Sequence, residues 1–170
     1  QLAERSAHAA AQLAAIGVER GDRVALRLPN CPAFVVWYYG VLRLGALPVS
    51  ISPRFAPAEV RHILADCQAT ALISVEEVPA DATPACVGSI FTVDEDGDST
   101  DAIETPTVSD PSVSWADAEP DDPAVLLYTS GTTGFAKGAT LSHRNVRTNV
   151  DAFNRLCGVR PGERLLLTVP

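Results

Sequence analysis

Between Tyr128 and Gly138 the chain sets hydroxyls on Thr129, Ser130, Thr132 and Thr133, glycines at Gly131 and Gly134, and then Lys137, the only lysine beside twelve arginines. This mixture suits the holding of phosphate oxygens. Glycine lets the backbone approach an anion and take up positive φ. Successive N–H groups in such a turn form an anion-binding concavity, and hydroxyls add donors. A flexible ammonium supplies a mobile point charge. With the apolar Leu126-Leu127 feeding it, the stretch 126–138 reads as a nucleotide phosphate loop. A hydroxyl-rich hairpin turn with an exposed lysine is the plainer alternative.

The order of residues excludes two familiar loops. Counting from Gly131, the sixth position is Ala136, where G-x-x-x-x-G-K-[ST] needs glycine. The eighth is Gly138, where that loop needs a magnesium-binding Ser or Thr. No G-x-G occurs in the chain, which removes the dinucleotide fingerprint. Gly138-Ala139-Thr140-Leu141 reads as a second strand, and Ser142 as the N-cap of a helix opening at His143. The local plan is strand–loop–strand–helix, with His143 a first-turn surface residue.

The elements that must carry this loop show helix and strand periods in alternation. A helix is predicted from Leu2 to Ala15, with Leu2, Ser6, Ala9, Leu13 and Ile16 on one face and Gly17 ending it. Arg23 to Leu28 alternates as a strand, and the preceding Arg20-Gly21-Asp22 reads as a turn instead of an integrin ligand. Asn30 is the expected cap, with Pro32 in the first turn, of a helix from Ala33 to Leu44. That helix carries Phe34, Val35, Val36, Trp37, Tyr38, Tyr39, Val41 and Leu42. It is apolar on nearly every side, which predicts burial in a core ahead of an aromatic substrate surface. A strand follows over Ala46 to Ile51. Pro57 then opens a helix with Val60, Ile63, Leu64 and Cys67 on one face, and Thr70 to Val75 forms the next strand. Leu165 to Val169 reads as a further apolar strand. His8 and His62 are expected at the surface. The alternation predicts an α/β fold of helices and mostly parallel strands.

Charge divides the chain into three parts. Residues 1–75 form the alternating segment. Residues 76–122 hold fourteen Asp or Glu and no Lys or Arg, whereas the remainder has seven acids and thirteen bases. The acidic stretch reads as a solvated, partly mobile connection, since the calcium-loop spacing is not met at Asp94-Glu95-Asp96-Gly97-Asp98. Residues 123–170 carry strand, loop, helix and strand. No basic patch supports nucleic-acid binding, and no apolar run reaches the ~20 residues of a membrane span. The cysteines at 31, 67, 86 and 157 show no metal-ligand spacing, and buried thiols in a reducing cytoplasm are expected. A chain without methionine that opens inside a helix and stops on an apolar strand is expected to be part of a longer protein.

At the loop the chain resembles the adenylate-forming (AMP-binding) superfamily, whose phosphate loop reads about Y-T-S-G-T-T-G-x-P-K-G. Only Ala136 departs, standing where the family has proline. Gly21-Asp22-Arg23-Val24-Ala25, Pro29-Asn30, and Gly45-Ala46 through Pro53 resemble the family's N-terminal landmarks, in the family's order. The resemblance implies part of the large N-terminal domain of an acyl-CoA synthetase. It implies ATP with Mg2+ and coenzyme A as co-substrate, and a small carboxylic acid, by analogy a fatty acid, as the acid activated. It assigns Thr129, Ser130, Thr132 and Thr133 to phosphate contacts, Gly131 and Gly134 to the turn, and Lys137 to the β/γ-phosphates. The adenine segment, ribose-binding aspartate, hinge and catalytic lysine lie beyond Pro170 in relatives, so no catalytic residue is expected within this segment, and alone it should be inactive. A non-catalytic nucleotide-binding or assembly fragment, or a peptide-synthetase adenylation domain, are the alternatives.

Overall fold

The structure, a computed structural model, describes residues 1–98, 113–129, 136–160 and 162–164. Helix α1 (Leu2–Ala15) leads into strand β1 (Arg23–Arg27), α2 (Pro32–Arg43), β2 (Leu47–Ser50), α3 (Pro57–Asp66) and β3 (Ala71–Ser74). A 3-10 turn at Ala80–Ala82 precedes β4 (Ser89–Thr92), and then come β5 (Pro123–Thr129), β6 (Lys137–Ser142) and α4 (His143–Cys157). The strands order as β4-β3-β1-β2-β5-β6. Every neighbouring pair is parallel except β5 with β6. The expected α/β architecture with mostly parallel strands is the observed one. The expected final strand at 165–169 lies outside the described residues.

Strand alternation sorts the core onto two faces. Val24 and Leu26 of β1, with Ala71 and Ile73 of β3, pack under α1 and α2 through Ala9, Leu13, Trp37 and Val41. Ala25 and Leu72 point the other way, onto Val60, Ile63 and Leu64 of α3. Helices α1 and α2 approach closely at Gly40, where a Cβ would stand 2.8 Å from Ala9 Cβ. Arg43, buried at the end of α2, donates to Ser6 Oγ (3.1 Å), Ala3 O (2.9 Å) and Val113 O (2.7 Å) and sits 4.3 Å from the Trp115 ring centroid. It ties α1, α2 and the approach to β5 together.

Several expectations need correction. The cap of α2 is Cys31, without a side-chain bond, and Asn30 stands one residue outside. That helix is not enclosed on all sides, since Val35 (41%) and Tyr39 (39%) are exposed; its sequence is more apolar than its surroundings require. Leu2 and Ile16, which share the helical spacing of the buried Leu13 on α1, are also exposed. The three strands of the first part each lose a residue at one or both ends. Of the four thiols, Cys67 is buried, Cys31 is partly so, and Cys86 and Cys157 are exposed.

The acidic stretch is more than a solvated connection. Ser89–Thr92 pair in parallel with β3, and Phe91 enters the core 5.6 Å from the Trp37 ring. The 94–98 turn docks on the helices: Ala33 N donates to Glu95 O (2.9 Å) and Trp37 Nε1 to Gly97 O (3.3 Å). Its Asp94 carboxylate accepts from Gly97 N (2.7 Å) and Asp98 N (2.9 Å), and bonds from these backbone amides hold its pKa below the usual carboxylate value. Four ion pairs join this stretch to arginines elsewhere: Arg5–Asp98, Arg20–Asp122, Arg27–Glu76 and Arg144–Asp121. The charge segregated along the sequence is therefore partly matched in space, although exposed pairs contribute only ~0–1 kcal/mol each. Arg20, through its bond to Asp122, belongs to a structural turn, as expected.

Candidate phosphate-binding site

The site grows from the last parallel strand. β5 aligns with β2 through Val49↔Leu126 and Ser50↔Leu127, so its carboxyl end emerges at the edge where open α/β sheets bind ligands. Ala124 and Val125 are buried and anchor the strand, while Leu127 and Thr129 are exposed toward its tip. β6 returns antiparallel, in register Thr129↔Lys137, Tyr128↔Gly138 and Leu127↔Ala139. The two expected strands are thus observed on either side of 130–135.

Directly opposed residues of an antiparallel pair project to the same side, and successive residues to opposite sides. Thr129 and Lys137 therefore share one face of the ribbon, and Tyr128 and Gly138 the other. Thr129 and Lys137 are both exposed. Among the described residues, the Lys137 ammonium enters no ion pair. Ser130, Gly131, Thr132, Thr133 and Gly134 lie outside the described residues.

The opposite face of the ribbon meets α3. The Tyr128 hydroxyl donates to Asp66 Oδ2, and His62 Nε2 lies 3.1 Å from Ala136 O. Leu126, Tyr128 and Ala136 pack on the cluster of Val60, Ile63 and Leu64. Partial burial, then the bond to Asp66, push the Tyr128 phenol well above the ordinary tyrosine value, so it stays a donor. His62, expected at the surface, is half-buried against the loop arm. The available sequence signal was its spacing, one turn before Asp66 on the polar margin of the apolar stripe.

β6 delivers the chain into α4. Ser142 Oγ accepts from Asn145 N (3.3 Å), and Asn145 Oδ1 accepts from Ser142 N (3.0 Å), the expected cap made reciprocal. His143 N donates to Asp122 O (3.1 Å), and Arg144 grips Asp121 through Nε (2.7 Å) and Nη2 (2.9 Å). That guanidinium holds the Asp121 carboxyl below its ordinary value. His143 stands beside Pro123, at the far end of the ribbon from Thr129. By the ~3.3 Å rise per residue that end is roughly 20 Å from the loop, too far for phosphate contact. Val150, Phe153 and Leu156 of α4 are exposed, Leu156 at 87%.

The AMP-binding enzyme family model matches residues 1–170. The long-chain-fatty-acid–CoA ligase FadD13 of Mycobacterium tuberculosis is 35% identical over 164 residues, covering 93% of this chain and 32% of that protein. The long-chain-fatty-acid–CoA ligase of Escherichia coli O6:H1 is 34% identical, covering 99% of this chain and 36% of its own length. The inhibitor-bound N-terminal domain of FACL13 from Mycobacterium tuberculosis superposes with a TM-score of 0.85 at 31% identity, over 100% of this chain and 43% of that one. The chain belongs to the AMP-binding, adenylate-forming enzyme family, and its fold is that of the family's N-terminal domain. It spans about a third of the length of the curated relatives it matches.

Proposed function

We propose that the protein to which this chain belongs is an ATP-dependent acid–thiol ligase that activates a fatty acid and passes it to coenzyme A. The observation that carries the reading is the β5–β6 ribbon, which sets Thr129 and Lys137 opposite each other at the carboxyl edge of the sheet, flanking a sequence made of phosphate-binding residues. The names of the relatives favour a fatty acid over other carboxylic acids.

In the first step a carboxylate oxygen attacks the α-phosphorus of ATP. The bond to the bridging oxygen breaks, pyrophosphate leaves, and acyl-adenylate remains. In the second, a thiolate sulfur attacks the acyl carbonyl carbon and AMP leaves. Negative charge gathers on the phosphoryl oxygens during the first step, so donors already fixed toward them lower the barrier. Lys137 takes the β/γ-phosphate charge. Thr129, Ser130, Thr132 and Thr133 donate hydroxyls and N–H groups, while Gly131 and Gly134 let the backbone close on the anion. Magnesium would arrive bound to the ATP substrate and would screen its phosphate charge, beside the hydroxyls of Thr129, Ser130, Thr132 and Thr133 and the Lys137 ammonium. No described residue is assigned as a nucleophile, general acid or general base. A reducing, cytoplasmic setting suits the unpaired thiols.

The test is exchange of labelled pyrophosphate into ATP by the full-length protein over a panel of carboxylic acids. Exchange that depends on fatty acid supports the reading. ATP binding without exchange on any acid would move the protein to the non-catalytic class.

A further inference from the structure

We propose that His62 and Asp66 of α3 are positioning residues that grip the two arms of the phosphate-loop ribbon and so fix Lys137 relative to Thr129. The proposal rests on the phosphate-loop reading above. One helical turn separates the two side chains, so they stand on the same face. Asp66 accepts from the Tyr128 hydroxyl, one residue before Thr129. His62 Nε2 meets the Ala136 carbonyl at 3.1 Å, one residue before Lys137. Each grip therefore falls on the residue preceding a member of the opposed Thr129↔Lys137 pair.

The grip has a fixed base and a soft target. Val60, Ile63 and Leu64, on the buried face of α3, are 2%, 0% and 0% exposed, and packed cores transmit position because they hardly deform. Among the described residues β6 pairs with β5 and with no other strand, and Lys137, Gly138, Ala139 and Thr140 are exposed. Gly138 completes the device, since a Cβ there would stand 3.0 Å from Tyr128 Cζ and 3.2 Å from its hydroxyl. The missing side chain leaves room for the phenol ring to reach Asp66.

The family pattern has proline at the Ala136 position. Proline restricts its own φ and the conformation of its predecessor; with alanine there, the arm lacks that covalent restraint. The His62 contact to the Ala136 carbonyl supplies a non-covalent one at the same residue.

The experiment compares His62→Ala, His62→Gln, Tyr128→Phe and Asp66→Asn in the full-length protein by pyrophosphate exchange. A misplaced charge costs rate more than affinity, so His62→Ala and Tyr128→Phe are expected to lower kcat about tenfold or more, with KM for ATP changed less than about threefold. His62→Gln keeps an amide donor at similar reach and is expected to recover most of the rate. A role confined to stability would not separate Gln from Ala in kcat. Peptide-resolved backbone hydrogen exchange over residues 126–141, read in the same proteins, is expected to quicken in His62→Ala and Tyr128→Phe but not in His62→Gln. If wild type exchanges no pyrophosphate, the functional reading fails and hydrogen exchange alone decides the grip. Wild-type hydrogen exchange over 126–141 in His62→Ala and Tyr128→Phe overturns the proposal, as does a His62→Gln protein no faster than His62→Ala.

Discussion

Tyr128 and Gly138 face each other across the β5–β6 ladder so closely that a Cβ on Gly138 would stand 3.0 Å from the phenol ring. The ring needs that space to send its hydroxyl to Asp66. Gly138→Ala should push the ring aside and break the bond, costing about 1–2 kcal/mol from overpacking and a lost hydrogen bond. A double-mutant cycle reads this directly. Asp66→Ala should cost clearly less in the Gly138→Ala background than in wild type, and equal costs in both would show the two residues to be independent.

Arg43 is the anchor of the helical face. It makes three side-chain hydrogen bonds and a ring contact with Trp115 while 9% exposed. Arg43→Ala removes the donor to the Ser6 hydroxyl and to the Val113 carbonyl, while the Ala3 carbonyl keeps Ser6 Oγ at 3.1 Å, and it is expected to destabilise the protein by ~2–3 kcal/mol. Lysine cannot reproduce the planar fork, so Arg43→Lys should recover less than half of the loss in a urea titration. Full recovery by lysine would mean that charge alone matters there.

The thiols should separate by reactivity. Burial, opposed by a backbone bond from Ala69 and by Arg23, pushes Cys67 from 9.0 up to about 11, whereas Cys86 and Cys157 are exposed. Alkylation at pH 8 should label Cys86 and Cys157 well before Cys67. Because the folded state holds the Cys67 proton more tightly, its contribution to stability is complete below pH 9 and is lost as pH rises toward about 11. Cys67→Ala should flatten that part of the alkaline decline. Tyr128 adds a parallel decline that begins at pH 10, and early labelling of Cys67 would refute its assignment to the core.

Much of this was legible in the chain because strong periodicities are local. Leu2–Ala15, the Pro57 start of α3 and the Ser142 cap follow from spacing and capping chemistry that need no knowledge of distant residues. β4 was hidden because the net charge of 76–122 was read as one property of the whole segment, which masks the acid-free run 82–93, and Ser89-Ile90-Phe91-Thr92 is too short to show a clear alternation. The exposure of Val35 and Tyr39 escaped for the converse reason, since an all-round apolar helix does not say which side the rest of the chain leaves open. The contacts of His62 and Asp66 with the loop arms join residues 74 and 62 positions apart. Only the sheet order, which sets β5 beside β2 and so next to the β2–β3 crossover that carries α3, brings them together.

Leu156 is 87% exposed on α4, near the exposed Val150 and Phe153. Burial free energy follows the area removed from water, so Leu156→Ser should change the stability of the 170-residue chain by less than about 0.5 kcal/mol. It should also reduce binding of a hydrophobic dye. A large loss of stability would mean that this side chain is covered in solution.

The central claim is that Lys137, opposite Thr129 on the β5–β6 ribbon, neutralises phosphate charge during adenylation. The most direct measurement is the rate of fatty-acid-dependent pyrophosphate exchange by full-length Lys137→Ala, read beside its thermal unfolding. The expected result is a fall of about a hundredfold or more in kcat/KM, of the size seen when a transition-state donor is removed, with a nearly unchanged melting temperature because the side chain is exposed. An exchange rate equal to that of wild type would contradict the account.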